Sequence, residues 1–163
     1  MMSDYIPHIT VLVLLLIGAT GCDLLGTTGS PESALNLRLD APIEVTQQDS
    51  IKVQYHVINR RADSLNVTSG GCLALIQVYK DEEQVPIKGT FDACALILSR
   101  HTIAPNDTLT QSSTLRIELR DSEDPVAPGG YQLRAAPFIG TVEDQDVDLP
   151  ILEQEFTVLE ADL

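Results

Sequence analysis

The sequence predicts an all-β domain, folded as an antiparallel β-sandwich of about seven to nine strands. Three observations lead to this fold class. Short segments alternate apolar and polar residues with the period of two that is typical of a half-buried strand. Pro, Gly and Asn separate these segments at intervals of about 8 to 15 residues. No stretch of useful length has the 3.6-residue period of an amphipathic helix.

The first strands follow from this alternation. Leucines alternate with Asn and Arg over residues 35–39, and Pro42 ends the segment. Residues 51–57 repeat the pattern with Ile, Val, Tyr and Val on one face. Residues 73–79 are so apolar that they predict a central strand buried on both faces. A polar connection leads from there into a strand with Val85 and Ile87.

The second half of the domain continues the same rhythm. A turn is predicted at 104–107 and a long polar loop at 121–130, both from their Pro, Asn, Asp and Gly content. The strands predicted around them are 94–98, 113–119, 131–136 and 155–159. Together these elements place the sandwich domain at residues 35–160.

The N-terminal segment predicts a lipid anchor. Seven aliphatic residues, Val11–Ile17, are followed by small residues and then by Cys22. This order resembles a bacterial lipoprotein signal peptide. The resemblance implies removal of residues 1–21, acylation of Cys22, and a location in the cell envelope facing the periplasm or the exterior. Against it stands the first segment, 1–8, which has Asp4 and no Lys or Arg.

Three alternatives to the lipid anchor stay open: a plain secreted protein, a protein tethered by the apolar segment itself, and a cytosolic protein. A transmembrane helix needs about 20 apolar residues, and the run here is much shorter. The Gly-, Ser- and Thr-rich segment 22–34 predicts a flexible tether between the membrane and the domain.

The charge of the chain excludes one class of partner. The formal net charge is −14, from 24 acidic and 10 basic residues. Such a surface repels phosphates, so we expect no nucleic-acid partner. The acids are dispersed along the chain, which favours a role in solubility, for instance in concentrated salt, over attraction to a basic partner.

The cysteines predict one disulfide. Of the three cysteines in the chain, Cys22 is assigned to lipid, which leaves Cys72 and Cys94 as a pair in an exported protein. Each stands at the start of a segment predicted to be buried. The alternative is a pair of buried free thiols. A zinc site lacks ligands, because His56 and His101 have no zinc-finger spacing.

The sequence offers no catalytic constellation, and we expect neither an enzyme nor a cofactor. Ser99, Arg100 and His101 are adjacent, but neighbours in a strand point apart. No Gly-x-Ser-x-Gly elbow is present. His56 falls on the polar face of its strand, where a solvent-exposed histidine is the usual outcome.

The acidic run 143–148 contains weak candidates for a calcium site. Asp144, Asp146 and Asp148 have the spacing of the first three ligands of a calcium loop. The sixth position, which requires glycine, is Leu149. An acidic surface loop explains the run equally well, and no metal is predicted.

Four short segments resemble the immunoglobulin-like domain of the intracellular proteinase inhibitor (BsuPI-like) family. They are Val57–Asn59, Val78–Asp81, Ile103–Asp107 and Pro128–Leu133. The resemblance implies an immunoglobulin-like sandwich and, as an activity, inhibition of proteases. The chain departs from the family pattern in having Asn106 where glycine is usual and in having no tryptophan. Independently, the Pro-Gly-Gly-Tyr segment predicts a tyrosine corner, in which the Tyr131 hydroxyl fixes a neighbouring loop.

We therefore expect a non-catalytic binding or assembly module, held at the membrane by lipid. Its edge strands or loops would face another envelope protein or a polymer. The alternative is an inhibitor of extracellular proteases, whose loop 121–130 would occupy the enzyme's cleft. Fold resemblance is a weak argument for either activity.

Overall fold

The computed structural model describes residues 34–90, 93–122 and 124–161. The predicted signal peptide 1–21, the predicted acylation site Cys22 and nearly all of the predicted tether lie outside the described residues. Within the described residues, no helix is long and apolar enough to cross a membrane. The strands are β1 (Leu35–Asp40), β2 (Glu44–Thr46), β3 (Ser50–Asn59), β4 (Leu65–Lys80), β5 (Glu83–Gln84), β6 (Ile87–Lys88), β7 (Ser99–Ile103), β8 (Thr108–Leu119), β9 (Gly129–Val142), β10 (Gln145–Asp146) and β11 (Leu152–Leu159).

The strands form two sheets, so the predicted β-sandwich is confirmed. Sheet one has the order β1-β3-β8-β6. Sheet two has the order β2-β11-β9-β4-β5, with β10 added beside β9 and β7 beside β4. The pairing is antiparallel except between β2 and β11, which run parallel. Seven of these strands have five or more residues, and the rest are short edge pieces.

The core lies between the sheets and follows the predicted alternation. On β3, Ile51, Val53, Tyr55 and Val57 are at most 1% exposed, while Lys52 and Gln54 between them face outward. The inner residues of β4, β8, β9 and β11 complete the same cluster. Burial raises the pKa of Tyr55, whose hydroxyl has no hydrogen-bond partner among the described residues.

Strand β4 differs from the prediction in length and in burial. It begins at Leu65, and register shifts interrupt its pairing with β9 between Thr68 and Ala74. The sequence suggested burial on both faces over 73–79, which is wrong. Ala74, Ile76 and Val78 are buried, but the residues between them are half-exposed because their face of sheet two is not covered by a second layer.

The strand predicted around Val85 and Ile87 is divided between the sheets. Asp81 and Glu82 adopt positive φ in a two-residue turn that joins β4 to β5. The chain then leaves sheet two, and Ile87 enters sheet one beside β8. This crossing closes one end of the sandwich.

The predicted strand at 94–98 is absent, which is the largest error of the sequence analysis. Residues 93–98 have no regular secondary structure. Leu96, Ile97 and Leu98 are 87%, 71% and 77% exposed. An apolar run predicts burial only if the fold brings a second layer over it, and here the run lies outside both sheets.

Candidate functional site

The Cys72–Cys94 disulfide is present, with its two Cα atoms 5.7 Å apart. That separation is within the usual range for a bridge. The sequence predicts that each cysteine begins a buried segment. This is correct for Cys72, which precedes the buried Leu73, but wrong for Cys94, which opens an exposed segment. The bond therefore does not join two core strands. It fixes a surface loop to the edge of sheet two.

A close backbone approach holds the same loop. The Gly71 N–H donates to the Ala95 carbonyl over 2.7 Å. A Cβ on Gly71 would lie 2.8 Å from the Ala95 Cβ and 3.0 Å from its carbonyl oxygen, so any larger residue would push the loop away. At Gly70 a Cβ would overlap the ring of Phe138. The Gly-Gly pair is thus a steric requirement of the site.

These two attachments force Leu96–Leu98 outward. Ser99 pairs with Ser69 at the end of the β4–β7 ladder, and Ala95 is bonded to Gly71. The loop therefore takes four residue steps from Ala95 to Ser99, while β4 covers the same distance in two steps, from Gly71 to Ser69. The three intervening side chains must bulge away from the sheet edge, like an enlarged β-bulge. We call Leu96–Leu98 the aliphatic knuckle.

An apolar cleft of about 310 Å³ adjoins the knuckle. It lies between β4, the loop at 93–95 and β8, and we call it the edge cleft. Every described residue that lines it is uncharged. These residues are Gly71, Cys72, Ala74, Leu75, Ile76, Gly89, Ala93, Cys94, Ala95, Gln111 and Ser113.

Gln111 closes the edge of β4 inside this cleft. Its Oε1 accepts from the backbone N–H groups of Leu73, at 2.6 Å, and Ala74, at 3.1 Å. Its Nε2 donates to the Ala74 carbonyl over 2.9 Å. The side-chain amide thus occupies the positions that a neighbouring strand would use, which protects the edge from strand addition.

A serine and a histidine meet near this edge, although 32 residues separate them in the chain. Ser69 Oγ lies 3.3 Å from His101 Nε2, and the Ser69 hydroxyl donates to the Gly70 carbonyl over 3.0 Å. The Ser69 hydroxyl has one hydrogen for these two acceptors, so the direction of the contact with His101 depends on the tautomer of the ring. No local pattern indicates this pair, so sequence reasoning missed it.

Of the adjacent Ser99, Arg100 and His101, only Arg100 points to the opposite face, while Ser99 and His101 line the same pocket. Arg100 turns outward and pairs with Asp144 over 2.8 Å. The expectation for His56 is wrong, since it is only 8% exposed. Its Nε2 lies 3.1 Å from Asp40 Oδ2 and its Nδ1 lies 2.9 Å from Thr110 Oγ1. The flanking strands β1 and β8 cover the ring, which the sequence of β3 alone does not reveal.

The calcium candidates lie in a hairpin and not in a loop that wraps an ion. Glu143 and Asp144 form the turn with positive φ, and Asp146 lies in β10. In the described part of the chain, no group of three or more His, Cys, Asp or Glu side chains could hold a metal ion. Asp144, Asp146 and Asp148 are therefore not brought together as a site.

The loop 121–130 is attached to the domain in its described part. Val126 is 3% exposed, its N–H donates to the Ile117 carbonyl, and its carbonyl accepts from Gln47 Nε2. The Tyr131 hydroxyl donates to the Ala127 carbonyl over 2.7 Å, which confirms the predicted tyrosine corner. Such a loop is held against the sheet, whereas a cleft-filling loop must project from it.

Comparison with known proteins gives distant structural similarity. No protein family and no curated protein matches the sequence. The CARDB domain of the PF1109 protein from Pyrococcus furiosus is 14% identical, with a TM-score of 0.42, covering 78% of this chain and 94% of that one. A protein from Archaeoglobus fulgidus is 19% identical, with a TM-score of 0.41, covering 76% and 96%.

Proposed function

We propose that this chain is a lipid-anchored envelope protein whose β-sandwich is a binding or assembly module without catalytic activity. The observation that carries the proposal is the aliphatic knuckle, which holds Leu96, Ile97 and Leu98 at 71% exposure or more. Single exposed leucines are common on protein surfaces, but three adjacent ones fixed in place are not. A loop that merely connected two strands would need no apolar tip.

The way in which the loop is held supports a binding role. The disulfide and the Gly71–Ala95 hydrogen bond fix one end of the knuckle, and the β4–β7 ladder fixes the other. A loop that is fixed before it binds loses little conformational freedom on binding. The protein therefore presents a preorganised apolar surface.

The size of the knuckle sets the strength of the interaction. Full burial of one Leu or Ile side chain contributes about 1.5 to 3 kcal/mol, so the three together contribute about 6 kcal/mol. A micromolar complex requires about 8 kcal/mol beyond the cost of association. The knuckle alone is too small, and contacts in the edge cleft or a high local concentration at the membrane must supply the rest.

Two observations support the proposed location, which are the N-terminal leader pattern and the disulfide. Disulfides are typical of proteins that fold outside the cytoplasm. The signal-peptide pattern that ends at Cys22 supports a lipid anchor at that residue. A Cys22→Ala variant is expected to leave the membrane fraction; if it fractionates with membranes as fully as the parent chain, the anchor is disproved.

Cross-linking in intact cell envelopes tests the binding role. The full chain is compared with a knuckle variant, in which Leu96, Ile97 and Leu98 are replaced by Ser. A control variant carries the same replacement at three other exposed aliphatic residues, which are Ile43, Ile151 and Leu159. We expect cross-linked species to disappear in the knuckle variant and to persist in the control. If both variants keep every species, the knuckle is not a binding surface.

Protease inhibition is tested separately, because the attached loop 121–130 gives it no support. The full chain is titrated into a panel of serine and metalloproteases. We expect their activity to be unchanged. Loss of activity at near-stoichiometric protein would replace the binding role by inhibition.

A further inference from the structure

We propose that the partner is a second copy of this chain, with the knuckle of each copy inserted into the edge cleft of the other. The inference rests on the proposed binding function and names its partner. In such a dimer the two copies are related by a two-fold axis, and the same surface is used on both.

The cleft is large enough to receive the knuckle, and both are on one surface. Ala95 lines the cleft and directly precedes Leu96, so the protrusion and the cavity are adjacent. An apolar cavity of about 150 Å³ holds one benzene molecule. The edge cleft, at about 310 Å³, therefore has room for two branched four-carbon side chains. A two-fold axis beside Ala95 brings each knuckle to the opposite cleft.

The cleft suits a contact made by side chains and not one made by backbone hydrogen bonds. Addition of a strand from a partner would need free backbone groups along β4. Gln111 occupies those of Leu73 and Ala74, and Val78 already accepts from Val85. An extended peptide would have to displace these bonds, whereas apolar knobs would not. The knuckle supplies such knobs.

The charge of the described cleft residues is compatible with a second copy. The chain carries a formal net charge of −14, yet every described residue that lines the cleft is uncharged. Two copies can meet there without placing like charges at the centre of the contact. The acidic surface around the contact still repels its counterpart. Salt screens that repulsion, so association should strengthen as salt is added. A basic partner would bind more weakly in salt.

The oligomeric state of the full chain tests the proposal. Detergent-solubilised protein is measured by light scattering and sedimentation at low and at high NaCl concentration. We expect a dimer whose dissociation constant falls with salt. Ile97→Glu in the knuckle and Ala93→Glu at the cleft should each raise that constant at least about tenfold, since a carboxylate would enter an apolar cavity. A monomer at all salt concentrations, or a dimer unaffected by both variants, would overturn the proposal.

Ile43→Glu is the matched control. Ile43 has the same exposure as Ile97, 71%, and precedes β2 at the opposite edge of sheet two. The Ile43→Glu substitution adds the same charge far from the cleft. The dissociation constant of this variant's dimer should therefore match that of the parent. If Ile43→Glu weakens the dimer as much as Ile97→Glu does, added charge and not the knuckle explains the loss.

A photo-reactive amino acid at Ile97, in the full chain within the cell envelope, identifies the occupant directly. We expect cross-links to peptides of a second copy that contain Ala74 or Ile76. Cross-links to another protein alone would overturn self-association and leave the binding function standing. Cross-links to lipid alone, or none at all, would overturn both. The same amino acid at Ile43 gives the background.

Discussion

Replacing Asn59 by Ala should destabilise the domain more than any single surface change, because this side chain is a buried hub of hydrogen bonds. Asn59 ends β3 and is 0% exposed. Its Nδ2 has two hydrogens and lies within hydrogen-bond distance of three carbonyls, those of Asp63 at 2.8 Å, Ile103 at 3.0 Å and Ala104 at 3.1 Å, so two of these carbonyls share one hydrogen. Its Oδ1 accepts from the Arg61 N–H over 2.9 Å. The hub joins the turn after β3 to the turn after β7.

The magnitude follows from which groups lose all contact with water. The Ile103 carbonyl lies in a buried bond, and leaving it without a donor costs about 1 to 3 kcal/mol. The other three groups are part-buried and can regain water, so each loses about 0.5 kcal/mol. The total is about 3 kcal/mol. For a domain of this size that lowers the melting temperature by roughly 10 °C.

Urea denaturation followed by circular dichroism measures the effect, since the chain has no tryptophan for fluorescence. The control is Gln54→Ala, which removes an exposed amide with a single 3.4 Å bond to Ser112. That variant should lose less than about 0.5 kcal/mol. If Asn59→Ala loses less than about 1 kcal/mol, the hub does not stabilise the fold as argued.

Three further predictions concern single groups. Tyr131→Phe should lower the free energy of unfolding by about 1 kcal/mol, whereas Tyr55→Phe should leave it unchanged or raise it. The reason is that, among the described residues, the Tyr131 hydroxyl has a hydrogen-bond partner and the Tyr55 hydroxyl has none. Paired urea titrations of the two variants measure the difference. Reduction of the Cys72–Cys94 bond, which spans 22 residues, should cost about 3 kcal/mol without unfolding the domain, and an unchanged midpoint would contradict it. Gln111→Leu should open the edge of β4, and light scattering should then detect aggregation that the parent lacks.

The alternation of side chains carried most of the fold prediction. The inner faces of β1, β3 and β8 were correctly assigned because the period of two is a local property of the sequence. The turn at 104–107 was also correct: Asn106 adopts φ of 58°, a conformation that asparagine tolerates in place of glycine. Strand ends were less accurate, and β4 was missed over residues 65–72, where Thr, Ser and Gly weaken the pattern.

The side-chain contacts that the sequence did not reveal share one cause, which is that the partners came from distant parts of the chain. His56 is covered by Asp40 and Thr110, the second of them 54 residues away. Gln111 reaches Ala74 across the sandwich, 37 residues back. Such contacts depend on the register of the strands and on the packing of the two sheets, and neither can be predicted from a short window of sequence.

The knuckle shows why an apolar run can be exposed. Hydrophobicity predicted that 94–98 is buried, and that would be its lowest-energy position if the chain were free to reach the core. It is not free, because Cys72–Cys94 and the Gly71–Ala95 bond fix the start of the run against β4 while β7 fixes its end. The bridge stabilises the fold by closing a loop of 22 residues, and it also keeps three aliphatic side chains in water, where they form the surface that we propose a partner covers.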